Sequence, residues 1–322
     1  MDPTQPPLDL VIVGAGPSGL AVAIAAHQQG LAYEVLDKGA LVNSIYNFPR
    51  HMVFFTTADL LEIGGMPFVT PYEKPTQPEG LKYYRRVTEA WGLRVALGEE
   101  VTALERSDGD FVVESRTGEG ERRRRARNVV LATGYYDHPN RIEVPGEDLP
   151  HVSHYYYEPH AYWRQDVVVV GGKNSAAIAA LELYRAGARV TLVHRRPALA
   201  DSVKYWIRPD IENRIREGSI PARFATCVRE IHARGVSVES LADGSREELP
   251  AAAVFLLTGY HPDPALLLQA GAQVDPESLV PRHDPQTLQT DVPGLYVAGA
   301  LASGRHTSRI FIENGRFHGE AI

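Results

Sequence analysis

The chain has one cysteine, Cys227, in 322 residues. A single thiol forms neither an intrachain disulfide nor a Cys-x-x-Cys redox pair. Thiol–disulfide chemistry must therefore draw on that thiol, another subunit, an external thiol or a bound redox group. Cys227 lies in the alternating run RFATCVREI, which reads as a strand carrying a buried, inert thiol. Long apolar runs are also missing, and none approaches the ~18 residues of a membrane span. Positive charge is in deficit, and a net charge of -7 argues against nucleic acid as the main partner. The opening MDPTQPP has neither the basic nor the apolar region of a secretory leader and reads as a frayed start. With no low-complexity block, the chain reads as globular and cytoplasmic, and it is long enough for two domains with their own cores.

What is present is organised around Leu8 to Asp37, a buried strand, a glycine turn, a helix of small apolar residues and a second strand ending in an acid. Gly14, Gly16 and Gly19 fit G-x-G-x-x-G directly after the strand, with Pro17 and Ser18 opening the helix. Asp37 follows at the spacing of about 20 residues expected of a ribose-binding carboxylate. The first glycine turns the chain, the second lets backbone approach a pyrophosphate, and the third lets helix and strand pack closely. Free N–H groups at the helix N-terminus face the phosphates.

The unit recurs from Asp166 to Arg196, again as strand, glycine turn, small-residue helix and strand. Its turn reads Gly171, Gly172, Lys173, Asn174, Ser175, Ala176, so Lys173 stands in place of the middle glycine and Ala176 of the third. The two strand ends differ. Asp37 can accept hydrogen bonds from ribose hydroxyls and would repel a phosphate on that ribose, whereas His194, Arg195 and Arg196 suit a 2′-phosphate. The economical reading is FAD on the first unit and NADPH on the second. The predicted architecture is α/β, with two Rossmann-like dinucleotide-binding domains, the second inserted into the first. The FAD domain is expected at 1–158 and 286–322 and the NADPH domain at 159–285.

The aromatic segment after Asp37 and Lys38 suits packing along a ring system, with Ser44, Tyr46, Thr56 and Thr57 as donors. A helix is predicted from Leu81 to Trp91. Strands follow near Leu93–Leu97, Glu100–Ser107, which places Val101 in the FAD set, and Phe111–Arg116. RRRRAR at 122–127 reads as an exposed hairpin arm, a solvated face without function. Ala132, Thr133 and Gly134 end a buried strand that closes the first nucleotide domain, and TGYHPD from Thr258 and Gly259 echoes ATGYYDHP. The histidines of HVSHYYYEPHAYW lack the pattern of a metal site, and no metal is expected. The segment from Pro197 to Ile220 is read as helical surface, with Lys204 and Arg208 in reach of the nucleotide. Near the end, Gly299 and Ala300 form a turn and Ile310 opens a helix that still runs at Ile322, so a natural tail is expected beyond it.

These motifs converge on one group. The chain resembles the bacillithiol disulfide reductase family, within the two-dinucleotide flavoproteins of the thioredoxin-reductase kind. The resemblance runs nearly end to end and rests on NSIYNFP, HMVFFTT, LEIGGMPF, GGKNSA, KYWIRPDIENRI and IFIENGRFHG. It implies hydride transfer from NADPH to FAD and onward reduction of a low-molecular-weight disulfide, in a homo-oligomer. Two departures stand out. Ser18 occupies the position where that family usually has cysteine, and a serine forms no mixed disulfide. Ala300 stands where many relatives with a Cys-x-x-Cys centre have an acid. Glu313 and His318, beside the flavin-facing helix start, are the proton-donor candidates, and Ser18 completes the catalytic set. Competing readings are electron transfer to a ferredoxin or flavodoxin, a flavin monooxygenase, and a redox sensor without turnover.

Overall fold

A computed structural model describes residues 6–107 and 109–322. Of the start expected to be frayed, all but Pro6 and Pro7 lies outside the described residues. In chain order the elements are β1 (Leu8–Val13), α1 (Pro17–Gln28), β2 (Tyr33–Asp37), α2 (Asn43–Tyr46), α3 (Gln77–Trp91), β3 (Val95–Leu97), β4 (Glu100–Ser107), β5 (Asp110–Thr117) and β6 (Gly120–Leu131). Then come β7 (Val152–Ser153), β8 (Asp166–Val170), α4 (Asn174–Arg185), β9 (Arg189–Val193), α5 (Arg208–Arg216), β10 (Ala222–Arg223), β11 (Thr226–His232), β12 (Gly235–Ser240), β13 (Arg246–Pro250) and β14 (Ala253–Leu256). The chain ends with α6 (Ala265–Gln269), β15 (Leu295–Val297), α7 (Ile312–Gly315) and α8 (His318–Ala321).

Two compact units result, residues 1–138 with 260–322, and residues 139–259. Each contains a parallel sheet, β3-β2-β1-β6-β15 in the first and β10-β9-β8-β14-β7 in the second. Each also has an antiparallel meander, β4-β5-β6 and β11-β12-β13. β6 serves both sheets of its unit. Its first half pairs antiparallel with β5, and its second half lies parallel between β1 and β15.

The unit boundaries fall earlier than expected at both crossovers, for a topological reason. The fifth strand of the second sheet is β7, which pairs with β14, so residues before 159 already belong to that unit. On the return, Leu267 of α6 packs with Leu104 and Phe111, and Gln269 Oε1 accepts the Leu104 N–H at 3.3 Å, so residues from 260 belong to the first. The two crossovers run side by side. The His261 N–H donates to the His138 carbonyl, and the Asn140 N–H to the Gly259 carbonyl, each at 2.9 Å.

α1 is apolar nearly all round because it is covered nearly all round, with Gly19 to Ile24 and Ala26 buried. α3 begins at a capping box. Glu79 Oε2 accepts both the Thr76 N–H and its hydroxyl, and the helix stops at left-handed Gly92. α3 starts four residues before the predicted Leu81. The helix expected from Ile310 is instead two single turns, α7 and α8, and between Pro197 and Ile220 only α5 is helical.

The arginine run is not a uniformly solvated arm. Residues 122–127 lie within β6, where side chains alternate between faces. Arg124 turns inward, 16% exposed, and pairs with Glu99, 1% exposed, and with Glu34 at 2.6 Å. Burial pushes the Glu99 carboxyl up, and the hydrogen bonds from Arg124 and Ser115 outweigh it, holding the carboxyl below its usual range. Cys227, expected to be buried, is half-exposed on β11. Removing one partner of a buried pair strands the other charge. Arg124→Ala is therefore expected to destabilise the fold by about 3 kcal/mol or more. Arg123→Ala, on the solvent face, should change stability by less than about 0.5 kcal/mol. Urea unfolding of both variants checks this, and equal losses would contradict it.

Candidate dinucleotide sites

The first site is built from the glycine turn between β1 and α1. Gly14 has φ 109°, and a Cβ there would lie 2.4 Å from the Ala132 carbonyl oxygen. A Cβ on Gly19 would lie 1.9 Å from the Gly14 carbonyl oxygen. Both glycines are required by the fold itself. Gly16 is different, because it has φ -74° and nothing lies within 4 Å of the position of its missing Cβ. Its bare Cα faces open space, α1 has no side-chain cap and no acid in its first turn, and among the described residues the Gly16 N–H has no acceptor. That is the surface a pyrophosphate fits. A side chain on Gly16 would fill it.

Asp37 lies across this turn. Its Oδ2 accepts the Ala15 N–H at 2.7 Å and its Oδ1 accepts the Gly39 N–H at 2.8 Å. Burial raises its carboxyl above the usual range, against the pull of those two N–H groups. Each oxygen keeps a lone pair for a ribose hydroxyl. Lys38 is engaged by Asp137 at 3.0 Å. Ala132, Thr133 and Gly134 follow β6 directly beside Gly14, with the Ala132 N–H on the Val13 carbonyl at 2.8 Å and Thr133 exposed.

The C-terminal segment closes on the same helix. A Cβ on Gly299 or on Gly315 would each lie 2.7 Å from Ser18 Oγ, and one on Gly319 would lie 2.4 Å from the Ala21 carbonyl oxygen. The Ser18 hydroxyl is thus wedged between the 299 turn and α7. His318 Nδ1 accepts the Gly299 N–H at 3.0 Å, which leaves its proton on Nε2. Ala300 and Ile310 flank this turn, half-buried, and the Ala300 carbonyl accepts the Ser303 hydroxyl at 2.9 Å. Glu313, on α7, has no hydrogen bond among the described residues and is not joined to His318. Ser44 and Tyr46 lie on α2 and Thr56 in the loop beyond, Tyr46 exposed and the other two half-buried. Val101 lies on β4 at its register shift.

The second site repeats the plan. Gly171 has φ 154°, a Cβ on it would lie 2.6 Å from the Leu257 carbonyl oxygen, and the Leu257 N–H bonds the Val170 carbonyl at 2.8 Å. A Cβ on Gly172 would lie 2.3 Å from His194 Nε2, so the imidazole lies directly on the turn. Burial, then the charges of Arg195 and Arg196, hold His194 below the usual imidazole range. Arg195 and Arg196 are exposed and have no carboxylate partner among the described residues. Lys173 and Ser175 are exposed at the uncapped start of α4, where buried Ala176 takes the third-glycine place. Asn174 ties that helix to the following loop, accepting the Lys204 N–H at 2.9 Å and donating to the Ser202 carbonyl at 3.1 Å. Thr258 donates its hydroxyl to the Asn140 carbonyl at 2.5 Å, beside Gly259.

The crossover histidines do not gather. His154 faces Glu147 at 3.3 Å, and among the described residues no three His, Cys, Asp or Glu side chains converge on a point that could hold a metal.

Residues 11–299 match the family described as pyridine nucleotide-disulphide oxidoreductase. The chain belongs to that family. It is 43% identical to the bacilliredoxin reductase Bdr of Bacillus subtilis, over 97% of this chain and 95% of that protein. The bacillithiol disulfide reductase Bdr (YpdA) of Bacillus cereus superposes with a TM-score of 0.96 at 41% identity, covering 98% of each chain. The Staphylococcus aureus protein of the same name gives 0.92 at 37%, covering 99% of this chain and 97% of that one. As a member of this family the protein is an oxidoreductase that uses FAD and NADPH, and with its one cysteine it has no Cys-x-x-Cys centre.

Two outcomes follow from the first site. Gly16→Val should fold as the parent does and purify without flavin, whereas Gly19→Ala should lose thermal stability. Absorbance at flavin wavelengths and a melting curve separate the two, and a yellow Gly16→Val protein would contradict the cradle. His318 adds a pH dependence, because burial and then the neighbouring His283 charge hold it below the ordinary imidazole range. A depressed imidazole contributes stability that is complete above its unfolded value of about 6.5 and declines as pH falls through the folded value. Protonation removes the acceptor for the Gly299 N–H. Flavin release should therefore quicken as pH drops from about 7 to about 5, with no such step in His318→Gln.

Proposed function

We propose that the protein reduces bacillithiol disulfide with NADPH, the overall change being one NADPH, one proton and one disulfide converted to NADP⁺ and two thiols. FAD supplies the relay that accepts two electrons from NADPH and passes them to the disulfide. Each site's residues have a distinct part. The first turn offers the Gly16 N–H and the N-terminus of α1 to a pyrophosphate, with Asp37 for ribose hydroxyls. The second offers Arg195 and Arg196 to a 2′-phosphate. The observation that carries the reading is this opposition of strand ends, a carboxylate in one unit and, in the other, two guanidinium groups with no carboxylate partner among the described residues, in a chain that matches bacillithiol disulfide reductases end to end.

The disulfide-reducing step uses no thiol pair of this chain. Ser18 stands in the first turn, enclosed by Gly299 and Gly315, and Cys227 lies on the three-stranded meander of the other unit. His318, neutral and with Nδ1 committed to the Gly299 N–H, positions the turn and is not a proton donor through that nitrogen. The name of the Bacillus subtilis relative points to a second reading, in which a bacilliredoxin protein is the acceptor.

Anaerobic stopped-flow mixing of the yellow protein with NADPH, then with oxidised bacillithiol, tests the proposal. Rapid bleaching followed by reoxidation at a rate that saturates with the disulfide is expected. Bleaching without reoxidation by bacillithiol disulfide, but with reoxidation by a bacilliredoxin, would replace the first reading with the second. In Arg195→Ala/Arg196→Ala the NADPH constant should rise about ten- to a hundredfold, the equivalent of roughly 1.5–3 kcal/mol for a charged hydrogen bond. The NADH constant should hardly move. An unchanged preference would remove the 2′-phosphate assignment.

A further inference from the structure

We infer that Val42, which no motif singles out, is a positioning residue that aims the Gly16 N–H at the pyrophosphate of FAD. The inference rests on the reading of the first turn as the FAD site.

Val42 has φ 49° and ψ 50°, in the left-handed region, and is 1% exposed. A β-branched residue there is an outlier, because its Cβ crowds the following carbonyl. Its N–H donates to the Ala15 carbonyl at 3.1 Å, while the Ala15 N–H is held by Asp37 Oδ2 at 2.7 Å. Both polar groups of Ala15 are therefore taken from outside the turn. The peptide that joins Ala15 to Gly16 is trans, so its N–H points opposite to its carbonyl. With the carbonyl fixed on Val42, the Gly16 N–H is directed away from Val42, and among the described residues it has no acceptor.

The second unit contains its own comparison. Gly14 and Gly171 correspond, since their N–H groups bond Leu36 and Val193, the residues just before Asp37 and His194. Gly172 thus matches Ala15, and its carbonyl accepts the Ala200 N–H at 2.9 Å. The same peptide is pinned in the same way. Ala200, however, comes six residues after His194, whereas Val42 comes five after Asp37, and Ala200 has a negative φ. The first unit closes the clamp one residue sooner, and the left-handed turn at Val42 is what that shorter loop requires. The isopropyl group, packed in the same cluster as Ala15 and Ile45, keeps the strained residue in place. A glycine would adopt this backbone more easily and hold it less firmly.

The test compares Val42→Ala with Val42→Gly in the holoprotein, following FAD release by the rise in flavin fluorescence on dilution. Both substitutions remove the buried isopropyl group, and only glycine frees the backbone. Val42→Gly should release FAD about tenfold faster than Val42→Ala, with the amide at position 42 exchanging faster only in the glycine variant. Equal release from the two would reduce Val42 to packing and overturn the inference. Hydrogen exchange of the unmodified chain gives a second readout that needs no variant. The Val42 amide should be protected with FAD bound and also after its removal, and exchange at loop rates in the FAD-free protein would overturn the preformed clamp. A wild-type chain that binds no flavin would remove the cofactor reading as well, which separates the two failures.

Discussion

The first unit depends on how closely the backbone of α1 approaches its neighbours. Gly14 and Gly19 leave no room for a Cβ against Ala132 and against each other, and Gly315 and Gly319 leave none against Ser18 and Ala21. Beta carbons at any of these positions would push the helix off the strand or the C-terminal segment off the helix. The helix N-terminus therefore sits low over the sheet, with its free N–H groups at the strand ends, where α/β proteins place a phosphate. The same close packing brings the chain's last residues onto its first helix. Through His318 and Ser18 the 299 turn becomes part of the first turn's surroundings.

The two units solve one problem with different chemistry. Their backbone hydrogen bonds correspond, Ala132 to Val13 as Leu257 to Val170. At the strand end Asp37 is short enough to reach the N–H of Ala15 beside its methyl group. His194, in the matching place, lies flat on the turn, and Gly172 is the residue that leaves space for the ring. The exchange of acid for imidazole and of alanine for glycine is thus one change in packing. The electrostatic outcome follows. One strand ends in a carboxylate, which suits hydroxyls, and the other is followed by two exposed guanidinium groups, which suit a phosphate.

Charge elsewhere in the chain serves structure. The inward half of the arginine strand closes over Glu99 and Glu34, and Glu147, 4% exposed, accepts the N–H groups of Ile142 and Glu143 in the crossover turn. A buried carboxylate paired in this way ties its turn to one geometry, because leaving it unpaired is costly. Within the first unit, the pairing of β6 with β1 and the Ala132 N–H on the Val13 carbonyl keep Ala132 to Gly134 beside Gly14.

The sequence by itself determined the two nucleotide units, their order and their opposite strand ends. Each signal lies within about 30 contiguous residues and reflects local geometry, a turn, a helix start and a strand end. It also showed that no cysteine pair exists. Only the tertiary structure decided what depends on residues far apart in the chain. β7 belongs with β14, which moved the unit boundary, and one arginine of a charged run turned inward because strand alternation aimed it at Glu99. Ser18 and His318 acquired their places from the C-terminal segment that folds back onto α1. Val42 gave no sign in composition or periodicity, since its left-handed backbone comes from closing a loop onto Ala15, and a closure of that kind is a property of three-dimensional distance.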